Sequence, residues 1–102
     1  MSWVAVLEDK KLKEDTMKIV FPKGVSVLLI RKKENEIYAI SNKCAHMACP
    51  MMGGYLDGYI LQCPCHDWKF DIRTGVFVDA PEIKVPIYEW HIDKGSICIK
   101  ME

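Results

Sequence analysis

Two short stretches of the chain bring thiol and imidazole donors together. One is Cys44-Ala45-His46 and the other is Cys63-Pro64-Cys65-His66, with sixteen residues between His46 and Cys63. In each box a thiolate and an imidazole sit two or three positions apart, a spacing that a tight turn can aim at one point. Pro64 stiffens the second box. Two Cys and two His can hold zinc or an iron–sulfur cluster. A zinc finger pairs Cys with Cys and His with His, whereas each box here is mixed. Mixed boxes suit a two-iron cluster held by two thiolates and two imidazoles. One iron takes Cys44 and Cys63 and the other takes His46 and His66, so that each loop spans both irons. A structural zinc-binding interaction domain is the alternative, and it calls for a colourless protein with stoichiometric zinc and no sulfide.

Such loops need a frame. With 102 residues, half of them hydrophobic and 27% charged, the chain is expected to form one globular domain, residues 1–102. Its patterning is that of strands. Residues 25–31 are β-branched and apolar, the polar turn 32–35 follows, and 36–40 closes a hairpin. Residues 87–93 alternate with period two and lead through the turn 93–96 into Ile97-Cys98-Ile99. Trp3 to Leu7 and Lys18 to Phe21 are weaker strand candidates, and Leu12 to Thr16 reads as a turn. Short strands are expected at 59–62 and 68–71, with turns at Gly53-Gly54, Asp57-Gly58 and Thr74-Gly75. No stretch of ten or more residues sustains helical periodicity. The expectation is an all-β fold. A framework from residues 1–40 and 82–102 carries a loop-rich cluster-binding subdomain, 41–81.

The pattern C-x-H-x16-C-x-x-H resembles the Rieske iron–sulfur family, and Gly53-Gly54, Trp68-x-Phe70-Asp71 and Thr74-Gly75 match it too. The resemblance is close over residues 41–81. It implies an antiparallel β-sandwich or barrel-like fold, one [2Fe–2S] cluster per chain, and the ligands Cys44, His46, Cys63 and His66. Such a cluster is neutral when oxidised, so adding an electron costs less than at an all-cysteine centre, which is already anionic. Its imidazoles can couple the electron to a proton.

Two further cysteines, Cys49 and Cys65, match positions that form a disulfide in Rieske proteins of the cytochrome bc type. The resemblance therefore implies a Cys49–Cys65 bond clipping the two ligand loops together, with ~3 kcal/mol from closing the loop in the chain-entropy model. A sensor role for that pair would show as a change in potential or partner affinity on its reduction. The residues after His66 point to the ferredoxin branch instead. Trp68 and Phe70 stand where the bc-type proteins place Ser and Tyr hydroxyls. The resemblance thus implies a potential at the lower end of the Rieske range, on the order of −150 mV. Asp67 replaces the usual Gly at a position where Asp tolerates a left-handed backbone.

What the family resemblance implies for function is a soluble one-electron carrier with no catalytic residue of its own. Its expected partners are a reductase as donor and an oxygenase or other oxidoreductase as acceptor. The runner-up is a chain similar to the small subunit of assimilatory nitrite reductase. Fourteen Lys and Arg balance fourteen Asp and Glu, so charge gives no case for nucleic acid or an anionic membrane surface. No apolar run approaches the ~18 residues of a membrane span, and the start turns charged too soon for a secretory signal. A cytoplasmic setting is expected, in which clustered cysteines suggest a metal site before a disulfide scaffold.

Other residues carry blander expectations. His91 is a strand residue with no ligand role. Cys98 faces away from Ile97 and Ile99. Met47, Met51 and Met52 pack the first loop. Trp68 and Phe70 pack the second, and Ala80-Pro81 is a weak match to a third, covering loop. Lys10, Lys11 and Lys13 are solvated.

Overall fold

The run Val27-Leu28-Leu29-Ile30 has no polar member, and all four residues are fully buried. A strand turns successive side chains to opposite faces, so a run of this kind requires a strand covered on both sides. A computed structural model describes residues 2–43, 49–65 and 67–101, and it places this strand at the centre. Among the described residues ten strands form three antiparallel sheets: β1 (Ser2–Glu8), β2 (Thr16–Val20), β3 (Val27–Lys33), β4 (Glu36–Ser41), β5 (Tyr55–Asp57), β6 (Ile60–Gln62), β7 (Lys69–Asp71), β8 (Ile87–Tyr88), β9 (Trp90–Asp93) and β10 (Ser96–Met101). The sheet orders are β1-β10-β9, β2-β3-β4-β8 and β5-β6-β7. The only helical segments among the described residues are 3₁₀ turns at Asp9–Lys11 and Pro22–Gly24. The all-β expectation holds.

The central sheet β2-β3-β4-β8 serves two cores. Val27, Leu29, Ile37 and Ala39 pack with Ile97, Ile99 and Met101 of β10, which makes the framework sandwich. Leu28, Ile30 and Ile40 point the other way and pack with Met51, Leu61, Cys63, Phe70 and Ile72. Strict alternation along β3 and β4 thus divides the chain's apolar surface between a framework and the region that holds the second box.

Several expected elements change on inspection. The strand expected over 87–93 breaks at Glu89. Ile87–Tyr88 pairs with β4, while Trp90–Asp93 pairs with β10. Period-two alternation does not say which sheet a strand joins, so the switch leaves no mark in the pattern. Leu12, read as the start of a turn, is buried against the framework core. The β3–β4 turn tightens to Glu34-Asn35, because β3 runs on to Lys33. The β9–β10 turn is Lys94-Gly95, both with positive φ, as a two-residue hairpin demands. Strand β5 was not anticipated. Cys98 does lie on the face opposite Ile97 and Ile99, level with Ala5 and His91, and the Trp3 indole lies tilted against the His91 ring, with centroids 3.9 Å apart.

Candidate metal centre

Both boxes are carried between closing antiparallel pairs. Gln62 at the end of β6 pairs with Lys69 at the start of β7, so the second box falls in the connection between these strands. Lys43 pairs with Pro50, so the first box falls within residues 44–49. Cys44, His46 and Met47 lie outside the described residues, as does His66. Of the four expected ligands, Cys63 lies within the described residues.

Cys63 follows directly from β6, and its backbone closes the turn. Its N–H donates to the Trp68 carbonyl at 2.7 Å, and the Asp67 N–H donates to the Cys63 carbonyl at 3.1 Å. Asp67 has φ 58°, the left-handed conformation expected of it, and its carboxylate accepts from the Gln62 amide at 2.9 Å. The Trp68 indole stacks on Phe77 with ring centroids 4.1 Å apart and planes nearly parallel. Phe70 is fully buried beside them. Both aromatic residues thus pack the second loop, as expected, and neither brings a hydroxyl to it.

The Cys63 thiol is itself fully buried and free, packed among Met51, Leu61 and Phe70. Cys49 and Cys65 are joined as a disulfide across 6.5 Å between Cα atoms. The sulfurs of Cys49, Cys63 and Cys65 all lie within 4.8 Å of one another. A soft sulfur donor in an apolar shell, at the point where both loops converge, fits an iron–sulfur centre.

Three contacts that hold the loops were not anticipated. Asn42, immediately before the first box, is buried. Its carbonyl accepts from the Met51 N–H at 2.7 Å and its side-chain oxygen accepts from the Met52 N–H at 2.9 Å. Its own N–H donates to the Ser26 carbonyl and its amide group to the Ser26 hydroxyl, both at 3.1 Å. One side chain therefore ties both feet of the first loop to the entry of β3. Gly54 is the second. A Cβ there would overlap the Gln62 carbonyl oxygen, so the backbone after the first loop touches the backbone before the second. Its neighbour Gly53 serves a different need, a φ of 90°.

The third contact links this region to the framework. The Glu36 carboxylate of β4 accepts from Tyr38 at 2.5 Å and from Tyr59, just before β6, at 2.8 Å. The two hydroxyls hold the Glu36 carboxyl below the ordinary carboxylate range. Burial, and then the bond to Glu36, pushes the Tyr38 phenol up to about 12. The bond to Glu36 also raises Tyr59. Arg73 lies over the Tyr59 ring, 4.6 Å from its centroid, and chelates the Asp71 carboxylate, which lowers the Asp71 carboxyl. A carboxylate paired with two tyrosines is invisible to motif reading, since Glu36 and Tyr59 are 23 residues apart.

Comparison with known proteins shows the family. The sequence model of the Rieske [2Fe–2S] domain matches residues 2–89. The chain belongs to the Rieske [2Fe–2S] family. Its cofactor is a [2Fe–2S] cluster and its role is that of a Rieske electron carrier. The ferredoxin component of the naphthalene 1,2-dioxygenase/salicylate 5-hydroxylase systems of a Ralstonia species is 39% identical over 70 residues. That alignment covers 68% of this chain and 67% of the relative. The ferredoxin component of the naphthalene 1,2-dioxygenase system of Pseudomonas putida is 42% identical over 62 residues, 57% of this chain and 60% of the relative. The chain thus spans about three-fifths to two-thirds of the length of these Rieske relatives. The ferredoxin of carbazole 1,9a-dioxygenase from Nocardioides aromaticivorans IC177 superposes with a TM-score of 0.88 over 100% of both chains, at 25% identity. Among the described residues no helix is long and apolar enough to cross a membrane.

Proposed function

We propose that Cys44, His46, Cys63 and His66 hold the [2Fe–2S] cluster, with Cys44 and Cys63 on one iron and His46 and His66 on the other. In this reading the protein is the ferredoxin component of an oxygenase system, receiving one electron from a reductase and passing it to the terminal oxygenase in the cytoplasm. It works as a single domain in which residues 41–81 carry the cluster on a framework of 1–40 and 82–102. The observation that carries the reading is the buried Cys63 thiol at the meeting point of two loops whose feet are tied by Asn42 and Gly54. The bound cluster would supply a one-electron centre of raised potential. The chain's part is to hold the donors, exclude water with Met51, Phe70 and Trp68, and withhold hydroxyl donors from the second loop. The relatives named as ferredoxin components of oxygenase systems support the choice of acceptor over the nitrite reductase alternative.

Low-temperature EPR of the dithionite-reduced protein tests the ligand set. The expected average g value lies below that of all-cysteine [2Fe–2S] ferredoxins, and the Cys63→Ser substitution should abolish the spectrum. A colourless, zinc-loaded, EPR-silent protein would overturn the reading. Voltammetry should place the potential on the order of −150 mV. Stopped-flow oxidation of the reduced protein by a Rieske oxygenase tests the acceptor.

A further inference from the structure

Cys63 lies with Cys49 and Cys65 in one group of three sulfurs, all within 4.8 Å of one another, although only two of them form the disulfide. We propose that in the cluster-free protein Cys63 exchanges into that disulfide, and that cluster loading is what keeps the Cys49–Cys65 pairing in place. The inference rests on Cys63 being a cluster ligand, as proposed above.

The step is thiol–disulfide exchange. The Cys63 sulfur attacks the Cys49 sulfur, the Cys49–Cys65 bond breaks, and a Cys49–Cys63 bond forms. The proton of the Cys63 thiol ends on the Cys65 sulfur. One disulfide and one thiol go in and the same come out, so no oxidant or reductant is consumed. Burial sets the direction. Cys63 is fully buried and Cys49 packs, half-buried, against the same apolar cluster, whereas Cys65 is exposed. Exchange therefore joins the two inner sulfurs and releases the one that water can solvate. The alternative product, Cys63–Cys65, would close a small ring around Pro64. A Cys49–Cys63 bond removes a ligand, so the cluster-free chain closes its own site until a dithiol reductant reopens it. An exposed Cys65 thiol marks that state.

The full chain is purified from iron-replete and from iron-limited cultures, alkylated at neutral pH without reductant, and its cysteine pairing mapped by peptide mass spectrometry. The iron-replete protein should keep Cys49–Cys65. The iron-limited protein should show Cys49–Cys63, loss of Cys63 labelling and gain of Cys65 labelling. Iron-limited protein that keeps Cys49–Cys65 with Cys63 alkylated would overturn the proposal, and so would pairing through Cys44 or Cys98. A Cys98→Ser chain should behave as wild type. Exchange that persists in cluster-loaded protein would also overturn the coupling, and EPR of Cys63→Ser then separates the two failures. A retained spectrum removes Cys63 from the ligand set. A lost spectrum leaves that assignment standing and sinks only the coupling of exchange to the cluster.

Discussion

The two faces of the central sheet are built from the same strands by different means. On the framework side, β10 pairs along its length with β1, with one register shift between Ala5 and Leu7, and also with β9, and Ile97, Ile99 and Met101 fill the sandwich against Val27, Leu29, Ile37 and Ala39. On the cluster side, no strand among the described residues exceeds three residues, and the work falls to Asn42, the Gly54 contact, the Glu36–Tyr59 link and the disulfide. Regular ladders need only pattern, whereas short loops that must aim donors need individual contacts. The cluster side is thus where single substitutions should separate function from folding.

Loss of the cluster on Cys63→Ser, with the framework intact, is the largest expected difference between the faces. Next come two neighbours on β3. Leu28→Ala and Leu29→Ala should each cost about 2–5 kcal/mol in urea unfolding. Leu28 packs on the cluster side, so its variant should also lose cluster on standing, while Leu29→Ala should retain it. Equal cluster retention in both would mean that the two cores are not separable. Gly54→Ala forces apart two backbones and should cost about 1–3 kcal/mol, with visible absorbance lost before the framework's far-UV signal on heating. Asn42→Ala leaves the Met52 N–H without its partner, at about 1–3 kcal/mol, and should produce the same order of loss.

The smallest effect concerns the Glu36–tyrosine link. Tyr38 is raised from its ordinary value near 10, so its contribution is complete below pH 10 and is lost as pH rises through about 12. Glu36 is lowered, so its contribution is present above the ordinary carboxylate range and is lost as pH falls through the Glu36 value. Urea midpoints should decline at both ends, and Tyr38→Phe should flatten the alkaline limb. An unchanged alkaline limb in that variant would place the titration elsewhere.

Much of this molecule is legible in the sequence. The apolar run of β3, the period-two pattern of 87–93 and the turn residues around β9 and β10 mark the sheets, because burial on one or both faces leaves a periodic trace. The mixed Cys/His boxes mark the family, since few chemistries want that spacing. Asn42 is not legible, because a satisfied buried amide looks like any loop Asn. Gly54 is legible as a turn but not as a backbone contact, because only the fold brings Gln62 against it. Leu12 hides in a charged stretch, where a single apolar residue has no period to belong to.

Strands β4 and β8 are hydrogen-bonded neighbours, with Ile40 opposite Ile87 and the Ser41 N–H donating to the Pro86 carbonyl at 2.9 Å. Everything from Asn42 to Val85 therefore leaves and returns through one narrow neck, like a hairpin loop grown to the size of a subdomain. Such a neck makes the redox part transplantable. The stretch can be spliced between paired strands of another sheet, provided that the host offers an apolar face in place of Leu28, Ile30 and Ile40. The remaining framework, closed by a short turn at the neck, would carry that bare face into solvent and should self-associate through it.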